Sequence, residues 1–162
     1  MPHLILLRHA KAESVSDSGR DFERSLTERG RRDAALMGKV LAQAGLAPDL
    51  VLVSAAWRAM QTWEAASPAF PGARIDIRHD LYLASCEQMA NAALSGAGAA
   101  RLMIVAHNPG LHEYALELSG GDPEGRMAAF PTAAAAVFEL DAAGRTQSSR
   151  MLLARDHGGG AF

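Results

Sequence analysis

Three short stretches of the chain are uninterrupted apolar sequence, and each stops abruptly at polar residues: Leu4-Ile5-Leu6-Leu7, Leu50-Val51-Leu52-Val53 and Leu102-Met103-Ile104-Val105-Ala106. A strand with one wet face alternates, whereas a strand covered on both faces reads as a continuous apolar run. These runs therefore predict central, largely parallel strands sandwiched between helices. The intervening sequence supplies such helices. After Thr27, residues Ala34, Leu36, Met37, Val40, Leu41 and Ala44 follow helical spacing, with Gly45 as the stop. Further helices are expected over 57–66, over 86–95 with Met89, Ala93 and Leu94 inward, and from Gly110 to about Ser119. Arg74-Ile75-Asp76-Ile77-Arg78 alternates, as an edge strand does. Late strands are expected over 133–140 and 149–155, around the turn at Asp141–Gly144. The expectation is an α/β fold, a three-layer α/β/α sandwich with a mostly parallel sheet. With 162 residues, a single domain over 1–162 fits the length and can bury a real core.

Composition removes several function classes. Sixteen basic against eighteen acidic side chains leave a net charge of -2. That gives no general electrostatic footprint for nucleic acid or membrane. One cysteine, Cys86, excludes an internal disulfide framework and zinc sites built on several thiolates. No stretch approaches the roughly 20 apolar residues of a spanning helix, and the N-terminal apolar run is too short for a signal peptide. A cytoplasmic location is the expectation.

In open α/β sheets, sites form beyond the carboxyl ends of the strands. The residues just past the three apolar runs are Arg8-His9, Ser54 to Arg58, and His107-Asn108. Two arginines and two histidines then converge. The set lacks a Ser–His pair with an acidic orienter and lacks carboxylates placed to hold a metal. Guanidinium groups match phosphate geometry in a forked, multi-point manner. A histidine beside two of them is kept neutral, and so nucleophilic, by like charge. The chemistry expected is phosphoryl transfer to a histidine.

The segments Leu6-Leu7-Arg8-His9-Ala10-Lys11-Ala12, Ser54-Ala55-Ala56-Trp57-Arg58 through Thr62, and Val105-Ala106-His107-Asn108-Pro109-Gly110-Leu111 resemble the three signatures of the histidine phosphatase superfamily. More narrowly they are similar to its small SixA-like phosphohistidine phosphatases. Arg24-Ser25-Leu26-Thr27-Glu28-Arg29-Gly30 is similar to a further segment of that branch. The resemblance implies a phosphoglycerate mutase-like fold in minimal form. It implies that His9 is the nucleophile, that Arg8 and Arg58 clamp the phosphoryl oxygens, and that His107 completes the pocket. Arg24 would add a fourth contact and Asn108 an amide, the alternative for Arg24 being a loop arginine paired with Asp21 or Glu23. No metal and no cofactor are implied. The superfamily's usual Gly after the Arg-His pair is Ala10 here, which reads as a branch marker.

The larger relatives carry an acid in an inserted cap between the second and third signatures. Here residues 63–104 separate those segments and must also form a helix, a strand and another helix, so no cap is expected. Glu87 and Glu113 are the candidate acids, with Glu13 and Asp17 behind them. Each is more simply a solvated carboxylate. His112 reads as an exposed helix residue, Cys86 as an incidental thiol, and the alanines at 133–136 as strand filler. Without a strong acid, imidazole is a better leaving group than an alkoxide. The favoured partner is therefore a histidine-phosphorylated protein. The alternatives are a phosphatase for a small phosphorylated metabolite and a non-catalytic phosphoryl-binding module.

Overall fold

The computed structural model describes residues 2–160. Six strands form one sheet: β1 (His3–Arg8), β2 (Leu50–Ser54), β3 (Arg74–Arg78), β4 (Arg101–Ala106), β5 (Ala135–Leu140) and β6 (Thr146–Leu152), in the order β3-β2-β4-β1-β5-β6. Strands β1 to β4 run parallel, and β5 is antiparallel to both β1 and β6. The three apolar runs are the three central parallel strands. The alternating segment is the edge strand β3, with Ile75 and Ile77 both half exposed.

Two cores lie on the two faces of the sheet, and the pleat assigns neighbouring residues to opposite ones. Leu4, Leu6, Leu102 and Ile104 pack with α3 (Cys86–Ser95) and α4 (Gly110–Leu118). Ile5, Leu7, Met103 and Val105 pack with α1 (Glu28–Gln43) and α2 (Trp57–Ala66). This is the expected α/β/α sandwich. Thr27 caps α1 by accepting a hydrogen bond from the Gly30 amide, and the Gly45 and Leu46 amides close its other end on the Ala42 and Leu41 carbonyls.

The order of strands places the site. β1 feeds α1 onto one face, and its neighbour β4 feeds α4 onto the other, so the chain parts at their carboxyl ends. Such a switch point leaves a crevice there. Arg8 is in register with Ala106, so His9 and His107 emerge side by side.

Two boundaries differ from expectation. The last strand spans Thr146–Leu152, and Ala154–His157 forms a 3-10 turn. The inner face of α3 is Met89 and Ala92, whereas Leu94 is 73% exposed. Spacing fixed the helix there but not its rotation.

Candidate active site

A cleft of about 400 Å³ opens at the β1/β4 switch point, lined among others by Arg8, His9, Arg24, Arg58, His107 and Asn108. All six residues drawn from the sequence thus reach one site. His9, Arg58 and His107 are buried, and the two imidazole rings lie 5.2 Å apart between centroids.

The backbone around His9 is held from three directions. Its amide donates to the Ala106 carbonyl, extending the β1–β4 ladder. The Ala133 amide donates to the carbonyls of Arg8 and His9, so this alanine, which reads as filler in sequence, braces the site. The Ala10 amide donates to Thr62 Oγ1 at 2.9 Å, and that hydroxyl donates to the Arg58 carbonyl. The chain after His9 is thereby tied to the helix that carries Arg58. The Ala10 methyl is fully buried beside Leu26, Ala34 and Ala133, so the departure from Gly is accommodated by packing.

The Arg24–Gly30 segment secures the loop behind. The Leu26 amide donates to Gln61 Oε1 on α2, and the Thr27 amide donates to the Lys11 carbonyl. A side chain at Gly30 would overlap that same carbonyl oxygen. Helix α1 can start against the loop only with glycine at this position.

His9 Nδ1–H donates to the Ala10 carbonyl at 2.8 Å, the assignment a carbonyl acceptor requires. Nε2 therefore carries a lone pair. Burial, and then the charges of Arg58, Arg8 and Arg24, pull His9 down to about 4, against the Ala10 bond. His107 is drawn down to about 3 by burial, by His9 and by Arg58. Both rings are neutral at pH 7. Ser54 Oγ lies 2.7 Å from His107 Nε2. In the tautomer with its proton on Nδ1, His107 receives the Ser54 hydrogen at Nε2 and presents Nδ1–H, which has no protein partner.

Two further donors here, Arg8 Nε and Arg58 Nε, are buried and unpartnered, as is one acceptor, Asn108 Oδ1. Arg8 Nη1 and Asn108 Nδ2 both donate to the Phe130 carbonyl, at 3.0 Å each. Buried donors without acceptors are costly in a folded protein. Their concentration in one cleft suits an anion with several oxygens.

Two more residues belong to the site: Asp21, which the sequence offered only as a pairing partner of Arg24, and Tyr82, which it did not offer at all. Arg58 Nη1 donates to the Asp21 carbonyl at 2.8 Å and Nη2 to its carboxylate at 3.1 Å. Arg24 Nε and Tyr82 Oη donate to the same carboxylate at 2.9 and 2.6 Å. The Tyr82 bond, with the charge of Arg58 and the bonds from both arginines, holds Asp21 at about 2. Asp21 stands three residues before Arg24, and that spacing was the available signal. Tyr82 lies far along the chain and carried none. Arg24 also donates from Nη1 to the Glu13 carbonyl.

The candidate acids stay outside. Glu13, Asp17, Glu87 and Glu113 are exposed and line no part of this cleft. Cys86 donates to Glu117 and is pushed up to about 11 by burial and that carboxylate, which makes it inert as a nucleophile. His112 is corrected: it is half buried, with Nε2 2.6 Å from the Met127 carbonyl and its ring edge-on to Phe130. It ties α4 to the loop whose Phe130 carbonyl anchors Arg8.

The family model described as histidine phosphatase superfamily (branch 1) matches residues 4–84. A crystal structure from Agrobacterium tumefaciens, provisionally named as the phosphohistidine phosphatase SixA, is similar with a TM-score of 0.83 and 30% identity, over 94% of this chain and 99% of that one. The chain belongs to the histidine phosphatase superfamily. An uncharacterized chloroplastic protein of Arabidopsis thaliana is 32% identical over 128 residues, 72% of this chain and 59% of its own length. The mitochondrial serine/threonine-protein phosphatase Pgam5 of Drosophila melanogaster is 43% identical over 60 residues, 37% of this chain and 20% of its own. This chain therefore spans less than two thirds of either curated relative.

Proposed function

We propose that this chain hydrolyses phosphohistidine on proteins through a phosphorylated His9. The observation that carries this reading is the state of Asp21, the one carboxylate that lines the cleft among the described residues. Asp21 is fixed as an anion by Tyr82, Arg58 and Arg24, so no carboxylic acid stands ready to protonate a leaving alkoxide. An imidazole whose second nitrogen carries a proton leaves as a neutral molecule and needs no such donor. The phosphohistidine phosphatase name of the Agrobacterium relative supports the same reading.

In the first step the Nε2 lone pair of His9 forms a bond to phosphorus. The substrate's P–N bond breaks, and its electron pair stays on the departing imidazole. Arg8, Arg58, Arg24 and the Nδ1–H of His107 stabilise the equatorial oxygens. In the second step water attacks phospho-His9, the P–N bond to Nε2 breaks, and phosphate departs with a proton released to solvent. The lowered basicity of His9 suits both steps: the ring is free to attack at neutral pH and leaves readily.

The test is a comparison of turnover on a histidine-phosphorylated protein and on p-nitrophenyl phosphate, with alkaline quenching and mass spectrometry of His9. The expected result is acid-labile phosphate on His9 and a kcat/KM at least tenfold higher for the phosphoprotein. Rapid turnover of the monoester alone would overturn the proposal.

A further inference from the structure

One residue of the cleft is neither polar nor relaxed. Leu83 has φ of +51°, in the left-handed region where a side chain is disfavoured and Gly or Asn is usual. It is also 58% exposed, and it lines the cleft whose floor holds Arg8, His9, Arg58 and His107. Its neighbours explain how the conformation persists. Tyr82 before it is fastened to Asp21 by the 2.6 Å hydrogen bond and stands edge-on to His107. Ala84 after it is buried, with its carbonyl oxygen so close to Gly110 that a side chain there would overlap it. Leu81 is fully buried. The segment is clamped on both sides and turns one leucine outward over the phosphoryl site.

More than half of this leucine is left uncovered by its own chain, in a conformation that costs free energy. Residues held in sparsely populated conformations cluster where function uses the side chain. Leu83 and His9 line the same cleft, so a phosphoryl group bound at His9 shares that cleft with the leucine. An isolated phosphoryl group or a small polar ester offers it no apolar surface, whereas the polypeptide flanking a phosphorylated histidine does.

We propose that Leu83 is a substrate-recognition residue that packs against an apolar side chain of the phosphoprotein, beside its phosphohistidine. This rests on the function proposed above. Glycine and asparagine both accept a positive φ, so Leu83→Gly and Leu83→Asn remove the apolar contact while relieving the backbone. The experiment measures each variant and the unaltered protein on a histidine-phosphorylated protein and on phosphoramidate, which has the P–N bond without the polypeptide. The expected result is a tenfold or greater loss of kcat/KM on the phosphoprotein, through KM, and less than a threefold change on phosphoramidate. Thermal unfolding of both variants should be no earlier than that of the unaltered chain. Equal rates on the phosphoprotein, or equal losses on both substrates, would overturn the Leu83 contact and leave the proposed function standing. An unaltered protein that cleaves phosphoramidate but no phosphoprotein would overturn both.

Discussion

The two ends of the sheet each open into a cleft of similar size and opposite character. At the carboxyl end, about 400 Å³ is lined by arginines, histidines and Asn108. At the amino end, about 340 Å³ is lined by Leu4, Ala93, Leu94, Leu102, Tyr114 and Leu118 among others. The apolar cleft is the core running out: the helix ends there and the sheet residues simply continue to the surface. The polar cleft is different in kind, because burial works against it. Its imidazoles are held below their ordinary range by desolvation first and by neighbouring cations next, and several of its donors have no acceptor. Such an arrangement spends stability that a packed end would keep, and it is retained where an anion is to be held.

That contrast is open to direct attack. His9→Ala removes the proposed nucleophile and should lower phosphatase turnover by at least about 10⁴-fold; residual activity within tenfold of the parent would break the assignment of the polar end. Arg58→Ala removes a buried guanidinium with one unpartnered nitrogen and should cost about 10²–10³-fold in kcat/KM. Inorganic phosphate binding, read by calorimetry, should weaken in parallel. The next effect is on folding. Below about pH 6.5 an unfolded chain takes up protons that folded His9 refuses down to about 4 and His107 down to about 3. The fold is therefore destabilised as pH falls through that window, by up to about 1.4 kcal/mol per pH unit for each ring. Urea unfolding from pH 7 to 4 measures it, and His9→Gln with His107→Gln should flatten the slope. An unchanged slope would show that the polar end does not carry this cost. Smallest of all is the effect at the other end. Leu94→Ser should leave kcat/KM within about twofold and stability within about 0.5 kcal/mol, as exposed substitutions do. A tenfold loss there would mean that the two ends are coupled.

Most of the sheet could be read along the chain because a doubly covered strand has a signature of its own. Leu4–Leu7, Leu50–Val53 and Leu102–Ala106 are such strands, and their polar successors had to lie at one end once the strands were parallel. Rotation of a helix is harder to read. In α3 the spacing admits Ala93 and Leu94 as inner residues, and only packing against the sheet selects Ala92. Tertiary partnership is harder again. Asp21 and Tyr82 meet across 61 positions, with nothing in either local sequence to announce the other. The left-handed turn at Leu83 is illegible for the opposite reason: local preference argues against it, and the clamps at Tyr82 and Ala84 override that preference.

The placement of β1 has a bearing on how the molecule is made. It is the first strand in the chain, yet its partners are β4, 98 positions later at His3 and Arg101, and β5 beyond that. Pairings of such long range are slow to form and wait for distant chain. During synthesis Arg8 and His9 therefore sit on an unpaired strand until β4 and His107 have emerged, and no shorter fragment can bring the two histidines together. The phosphoryl site arrives only with the pairing of β1 and β4, so a chain that ends before β4 has no such site to expose.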